Sequence, residues 1–103
     1  MLVVAGSDSS GGAGLEADQK TIAAHGSYAM TATTALTAQN TLGIRDILPV
    51  PADFTVSQVV ACFEDVGVDV VKTGRSLASP GPIPCCSFCC TVRPCECDGV
   101  PYE

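Results

Sequence analysis

The stretch from Gly6 to Thr21, GSDSSGGAGLEADQKT, contains the side chains and backbone groups best suited to bind a ligand. Its glycines expose backbone N–H groups, the serines at positions 7, 9 and 10 supply hydroxyls, and Asp8 and Asp18 supply carboxylates. A glycine-rich turn that opens a helix is a common anion-binding arrangement. Three interpretations are therefore open: a nucleotide phosphate site, a site for another ligand, or a capped turn without a ligand.

The two common nucleotide motifs match this stretch poorly. A P-loop requires a lysine directly after its second glycine, whereas Gly11 is followed by Gly12. Residues 12–17 match the dinucleotide pattern G-x-G-x-x-[GA], but six residues separate them from the preceding strand. The acidic residue that this pattern needs after the next strand is also absent. We therefore favour a helix N-terminus lined with small residues, which lets a ligand approach backbone N–H groups closely.

A second polar cluster, Thr37-Ala38-Gln39-Asn40, follows the next predicted strand. Open α/β sheets bind ligands at the carboxyl ends of their strands, where both clusters are expected to lie. The amide of Gln39 offers a donor and an acceptor together, which suits the edge of a heteroaromatic ring.

Apolar segments alternate with turn signals from residue 1 to about residue 74, and this order predicts an α/β fold with a mainly parallel sheet. We expect strands or extended segments at residues 2–5, 28–36, 42–50 and 68–72, and helices at residues 14–25 and 53–66. Gly26 and Gly67 follow the helices and are expected to end them. Asp53 or Thr55 is expected to cap the second helix.

Apolar residues at helical spacing predict which helix faces cover the sheet. In the first helix they are Leu15 and Ile22, with Ala23 beside them, and in the second they are Val56, Val59, Val60, Phe63 and Val66. Cys62 is expected to be a small core residue. Lys72 is expected either to pair with a carboxylate such as Asp69 or Asp46 or to contact a ligand.

Charge and hydropathy exclude several classes of partner. The formal net charge of the 103 residues is −6 and no basic cluster occurs, which argues against binding to nucleic acid or to an acidic membrane surface. No apolar run approaches the length of a membrane span, and the first residues lack the pattern of a secretory signal. We expect a cytoplasmic protein.

Residues 75–103 differ in composition from residues 1–74. They contain five of the seven prolines and six of the seven cysteines, without helical or strand periodicity. Clustered cysteines do not indicate a secreted disulfide scaffold. Cys86-x-x-Cys89 and Cys95-x-Cys97 allow adventitious zinc binding, but we assign no metal site and expect a disordered tail.

Three motifs, AGSDSSGGAGLEADQKT, TALTAQNTLGI and DVVKTG, resemble the hydroxymethylpyrimidine/phosphomethylpyrimidine kinases of thiamine biosynthesis. The resemblance covers about residues 2–74. It implies the N-terminal part of a ribokinase-like fold and ATP-dependent phosphorylation of a pyrimidine alcohol and then of its monophosphate. It also implies that Gln39 hydrogen-bonds the aminopyrimidine, that Asp18 lies in the same pocket, and that small residues admit the substrate, namely Gly11, Gly12 and Gly14.

The sequence departs from the family after Gly74, because Arg75 stands where the family has a methionine that packs near the pyrimidine. The resemblance places the ATP and Mg²⁺ site, an anion hole and the catalytic base in a later part of the family's chain, and residues 75–103 show nothing similar. We therefore expect a truncated kinase without activity of its own, the tail arising from an altered splice junction or reading frame. The alternatives are a non-catalytic partial domain that binds ligand weakly or associates with an intact kinase subunit, and a relative of pyridoxal kinases.

Overall fold

The strand β1 (Leu2–Ala5) lies at the centre of a three-stranded parallel sheet. The computed structural model describes residues 1–74, so the predictions for a disordered tail and for zinc binding lie outside the described residues. The remaining elements are α1 (Gly14–Ala24), β2 (Met30–Thr33), β3 (Ala35–Asn40), β4 (Gly43–Pro49), α2 (Ala52–Ala61), a π-helical turn (Cys62–Val66) and β5 (Val71–Thr73). The sheet order is β2-β1-β5 and both pairings are parallel, which confirms the predicted α/β fold with a mainly parallel sheet.

The alternation of side chains along β1 divides the core between the two faces of the sheet. On one face, Val3 and Ala5 pack with Leu15 and Ile22 of α1, as predicted, while the neighbouring Ala23 is exposed. On the other face, Leu2 packs with Val59 of α2, together with Met30 and Ala32 of β2. Each helix therefore covers one face, as the covering of parallel sheets requires.

The second helix differs from its prediction in two respects. Its predicted caps are wrong, because Pro51 occupies the N-cap and neither Asp53 nor Thr55 caps the helix with its side chain. Only Val59 of the expected apolar face is fully buried, Phe63 is partly buried, and the other three members are exposed, namely Val56, Val60 and Val66. The reason is that α2 packs against the edge strand β2, which covers a narrow stripe of the helix.

The side chain of Gln58 extends this contact along the free edge of β2. Its Oε1 accepts a hydrogen bond from Thr33 N at 2.9 Å, and its Nε2 donates to Thr33 O at 3.1 Å. The amide thus satisfies both backbone groups of one edge residue in the way that a further strand would.

The predicted second strand is divided at Thr34, which corrects the expectation of one strand over residues 28–36. Thr34 N donates to Ala5 O at 2.9 Å and Thr34 O accepts from Val50 N at 3.0 Å, so the chain bends out of the parallel sheet here. Beyond the bend, β3 and β4 form a separate antiparallel hairpin. Gln39 and its neighbours therefore lie in a strand and not in a loop after one.

No helix among residues 1–74 is long and apolar enough to cross a membrane.

Candidate functional site

The loop between β1 and α1 is organised by the buried carboxylate of Asp8, which is 3% exposed. Its Oδ1 accepts hydrogen bonds from Ser10 N at 2.8 Å and from Ser10 Oγ at 2.7 Å. Its Oδ2 accepts from Gly12 N at 3.0 Å and from Ala13 N at 2.9 Å. The hydrogen bond from the Ser10 hydroxyl is the largest influence on the pKa of Asp8 and, with the backbone donors, lowers it despite desolvation.

A second carboxylate, Glu16 in the first turn of α1, holds the start of the same loop. It accepts from Ser7 Oγ at 2.5 Å and from Asp8 N at 2.7 Å. Desolvation raises the pKa of Glu16, but these hydrogen bonds outweigh it and the net pKa is lowered. Both carboxylates therefore keep their charge and bind the loop itself.

These contacts correct the expectation that the helix N-terminus presents free N–H groups to a ligand. The N–H groups of Gly12 and Ala13 already bond Asp8, and Leu15 N bonds Gly6 O at 3.0 Å. A carboxylate of the chain takes the place that an external anion would occupy. Asp8 is likewise committed to the loop and is not available for the hydroxyl or amino groups of a ligand.

The three glycines of the predicted site have different surroundings. A Cβ at Gly14 would overlap Gly6 O and lie 3.3 Å from Gly6 C, and its φ is +59°, so this position requires glycine for the close packing of α1 on β1. Gly12 is more open, since a Cβ there would meet only Asp8 Oδ2 at 3.6 Å. Gly11 accepts a hydrogen bond from Lys20 Nζ at 2.8 Å. Contact of these glycines with a substrate stays a prediction.

The loop and the β3–β4 hairpin are joined by hydrogen bonds that bring Gln39 beside the serines. Ser7 N donates to Ala35 O at 2.8 Å, and Thr37 Oγ1 donates to Ser7 O at 2.8 Å. Ser9 Oγ donates to Gln39 O and lies 2.7 Å from Gln39 N as well. The two polar clusters recognised in the sequence therefore form one surface at the carboxyl ends of β1 and β2, as expected.

Asp18, the other predicted binding carboxylate, forms an ion pair with Lys72. Lys72 therefore pairs with a carboxylate, as one of the two alternatives expected, but the carboxylate is Asp18 and not Asp69 or Asp46. Lys72 is in register with Val3, whose side chain faces α1, so the pleat directs Lys72 to the same face as Asp18. The Asp18 side chain remains 24% exposed, and no hydrogen bond within residues 1–74 links it to Gln39.

Two residues of this surface, Glu16 and Thr37, lie in the quoted motifs but were given no role of their own from the sequence. The signal for Glu16 is its place as the third residue of α1, where an acidic side chain can reach back to the preceding turn. The signal for Thr37 is the spacing of two between it and Gln39, which puts both side chains on one face of a strand.

Solved structures with a similar fold are vitamin kinases. The phosphomethylpyrimidine kinase of Clostridium difficile superimposes with a TM-score of 0.69 at 47% identity, over 72% of this chain and 32% of that chain. The pyridoxal kinase of Staphylococcus aureus in complex with AMP-PCP and pyridoxal gives a TM-score of 0.64 at 38% identity, over 72% and 28%. These structures confirm the ribokinase-like fold class.

The amino-acid sequence identifies the family to which the chain belongs. The family described as "Phosphomethylpyrimidine kinase" matches residues 8–80. The thiamine biosynthesis bifunctional protein ThiED of Geobacter sulfurreducens is 57% identical over 74 residues, which are 72% of this chain and 15% of that protein. The hydroxymethylpyrimidine/phosphomethylpyrimidine kinase of Mycobacterium tuberculosis is 49% identical over 79 residues, which are 77% of this chain and 29% of that protein. The chain belongs to the phosphomethylpyrimidine kinase family and spans less than a third of the length of these relatives.

The described residues do not fit the ATP and Mg²⁺ that the family implies. The N–H groups of Gly12 and Ala13 are bonded to Asp8, and the nearby carboxylate of Glu16 adds a second negative charge that would repel phosphates. Within residues 1–74 no group of three His, Cys, Asp or Glu side chains could hold a metal ion. The N–H groups of Gly12 and Ala13 are thus already paired within the loop and are not free to bind a phosphate.

Proposed function

We propose that residues 1–74 form the pyrimidine-binding wall of a hydroxymethylpyrimidine/phosphomethylpyrimidine kinase, a cytoplasmic enzyme that makes the pyrimidine diphosphate for thiamine biosynthesis. Gln39 hydrogen-bonds the edge of the aminopyrimidine ring, and Asp18 binds a polar group of the same substrate. Gly11, Gly12 and Gly14 let the ring lie close to the loop. Residues outside this wall hold ATP and Mg²⁺ and carry out phosphoryl transfer, which depends on positioning and on neutralising charge around the transferred group.

The observation that carries the proposal is the attachment of Gln39 to the serine loop. Ser9 and Thr37 bridge the loop and the hairpin at 2.7 and 2.8 Å, so that the backbone of Gln39 is held beside the serine loop. An amide offers the donor and the acceptor that an aminopyrimidine edge requires. Binding of the pyrimidine edge by an amide does not require a buried cation of the kind that binds a phosphate.

The test is calorimetric titration of the 103-residue chain with hydroxymethylpyrimidine. Gln39→Ala should weaken binding by about tenfold or more, since a ligand edge is left without its partners. Gln19→Ala is the matched control, because it is the same substitution at an exposed position of α1, and it should leave the affinity unchanged. Equal affinities of the two variants would contradict the assignment of Gln39.

A phosphorylation assay tests the other part of the proposal. With ATP, Mg²⁺ and hydroxymethylpyrimidine, its phosphate or pyridoxal, we expect ligand binding without turnover by this chain alone. Residues 1–74 contain no group of three side chains that could hold a metal ion, and the N–H groups of Gly12 and Ala13 are bonded to Asp8. Turnover at a rate comparable with an intact relative would refute this expectation. Turnover of pyridoxal in preference to the pyrimidine would favour the pyridoxal kinase alternative.

Exposed apolar side chains support the alternative of a non-catalytic domain that associates with an intact kinase subunit. They lie on β4 and on α2 and include Ile44, Leu48, Phe54 and Val56. Surfaces of this kind are typical of interfaces. Co-elution of the chain with an intact kinase subunit in size-exclusion chromatography would support association, and separate elution would argue against it.

A further inference from the structure

The hydroxyl of Ser9 bonds both backbone groups of Gln39. Ser9 Oγ donates to Gln39 O at 2.7 Å and accepts from Gln39 N at 2.7 Å. In an antiparallel strand the N–H and C=O of one residue point to the same side, so a single hydroxyl can satisfy both. Ser9 therefore acts on the free edge of β3 as a one-residue strand partner.

The opposite edge of β3 is irregular at the same residue. Ala38 pairs with Asp46 and Gln39 with Ile44, so that Arg45 has no partner in the ladder and a bulge lies beside Gln39. A bulge changes the direction of the neighbouring side chains and weakens the local pairing. Because the pairing with β4 is weakened at the bulge, the orientation of Gln39 depends on Ser9 more strongly than it would in a regular ladder.

The hydroxyl of Thr37 constrains the side chain of Gln39. Thr37 Oγ1 lies 2.8 Å from Ser7 O and 3.3 Å from Gln39 Oε1, but a hydroxyl has one proton. The carbonyl of Ser7 can only accept, so the proton goes to it and Thr37 turns lone pairs toward Gln39. The amide is then more stable when rotated by 180°, with Nε2 donating to Thr37, because two acceptors no longer face each other.

We propose that Ser9 and Thr37 are positioning residues for Gln39: Ser9 fixes its backbone beside the bulge, and Thr37 turns its amide so that Oε1 and the second N–H of Nε2 face the ligand. This arrangement recognises a ring nitrogen beside an exocyclic amine, since the amide donates to the first and accepts from the second. The inference rests on the proposed function, in which Gln39 binds the pyrimidine.

A double-mutant cycle tests the role of Ser9 in the 103-residue chain. Ser9→Ala should raise the Kd for hydroxymethylpyrimidine by about tenfold, and Ser9→Thr, which keeps the hydroxyl, should stay within about twofold of wild type. In a Gln39→Ala background, Ser9→Ala should have no further effect, because there is no amide left to position. An equal effect in both backgrounds would overturn the proposal, since Ser9 would then act on the fold alone.

Thr37→Val removes the hydroxyl at nearly constant volume and tests the amide orientation. It should weaken hydroxymethylpyrimidine about fivefold and an analogue without the exocyclic amine by a smaller factor, because that analogue makes one of the two contacts with the amide. Equal losses for the two ligands would overturn the assigned orientation.

Amide hydrogen exchange of the ligand-free chain separates failure of this inference from failure of the proposed function. If the wild-type chain binds no hydroxymethylpyrimidine, the proposed function fails. Hydrogen exchange then still tests the positioning by Ser9. The exchange rate of the Gln39 N–H should be about tenfold higher in Ser9→Ala, while the exchange rate of the Val3 N–H in β1 should be unchanged. Unaltered exchange at Gln39 would overturn it.

Discussion

Replacing Gly14 by alanine should destabilise the fold far more than the same replacement at Gly12, two residues earlier. A Cβ at position 14 would overlap Gly6 O. The distance between the two atoms would be well below 3.0 Å, and Cβ atoms in proteins essentially never make contacts that short. Its neighbours give no room, because Asp8 N would be 3.4 Å away and Gly6 also accepts the hydrogen bond from Leu15 N. The close approach of α1 to β1 therefore depends on the absence of a side chain at Gly14.

The magnitude follows from two costs. Alanine at φ +59° is strained by about 1–2 kcal/mol. Moving α1 away from β1 to admit the methyl group costs about 1–3 kcal/mol in lost packing, since Leu15 lies in the core that α1 shares with β1. The sum is about 2–5 kcal/mol, and a loss of about 3 kcal/mol lowers the midpoint of thermal unfolding by more than about 10 °C.

Urea and thermal unfolding followed by circular dichroism measure this loss. Gly12→Ala is the matched control, because φ at Gly12 is not positive and a Cβ there would make only an ordinary contact. It should stay within about 1 kcal/mol of wild type. If Gly14→Ala unfolds at the same urea concentration and temperature as Gly12→Ala, the close approach of Gly6 and Gly14 does not limit stability.

Three further predictions concern the polar contacts. Because hydrogen bonds lower the folded-state pKa of Asp8, its contribution is complete above the ordinary carboxyl pKa and is lost as pH falls through the folded value. The difference in unfolding free energy between wild type and Asp8→Asn should therefore shrink from pH 7 to pH 3, and a constant difference would contradict this. A double-mutant cycle with Lys72→Met and Asp18→Asn should give a coupling in the free energy of unfolding of about 0.5–1 kcal/mol. The coupling should decrease in high salt, since Lys72 is 43% exposed, and the absence of coupling at low salt would exclude a stabilising ion pair. Gln58→Ala should cost about 1–2 kcal/mol in urea unfolding and accelerate hydrogen exchange at Thr33, and normal protection of Thr33 would refute the edge contact.

The sequence predicted the features that depend on neighbouring residues. The apolar run of β1, the spacing of Leu15 and Ile22 and the glycine after α1 defined a strand, a helix face and a helix end that the structure confirms. The bend at Thr34 was missed, because it is produced by hydrogen bonds to Ala5 and Val50. Nothing in the local pattern of a threonine-rich segment distinguishes one long strand from two strands in different sheets.

The same distinction applies to the site. The types and spacing of its residues were enough to predict that the serine loop and Gln39 lie on one surface, and the match to the family follows from the sequence alone. Only the tertiary structure decided which of these groups remain available to a ligand. Asp8 turns inward to its own loop, and Lys72 reaches Asp18 across 54 positions of the chain because β5 lies beside β1. A sequence records which groups can form hydrogen bonds, but a partner is fixed only when the packing of strands and helices brings two groups to the same place.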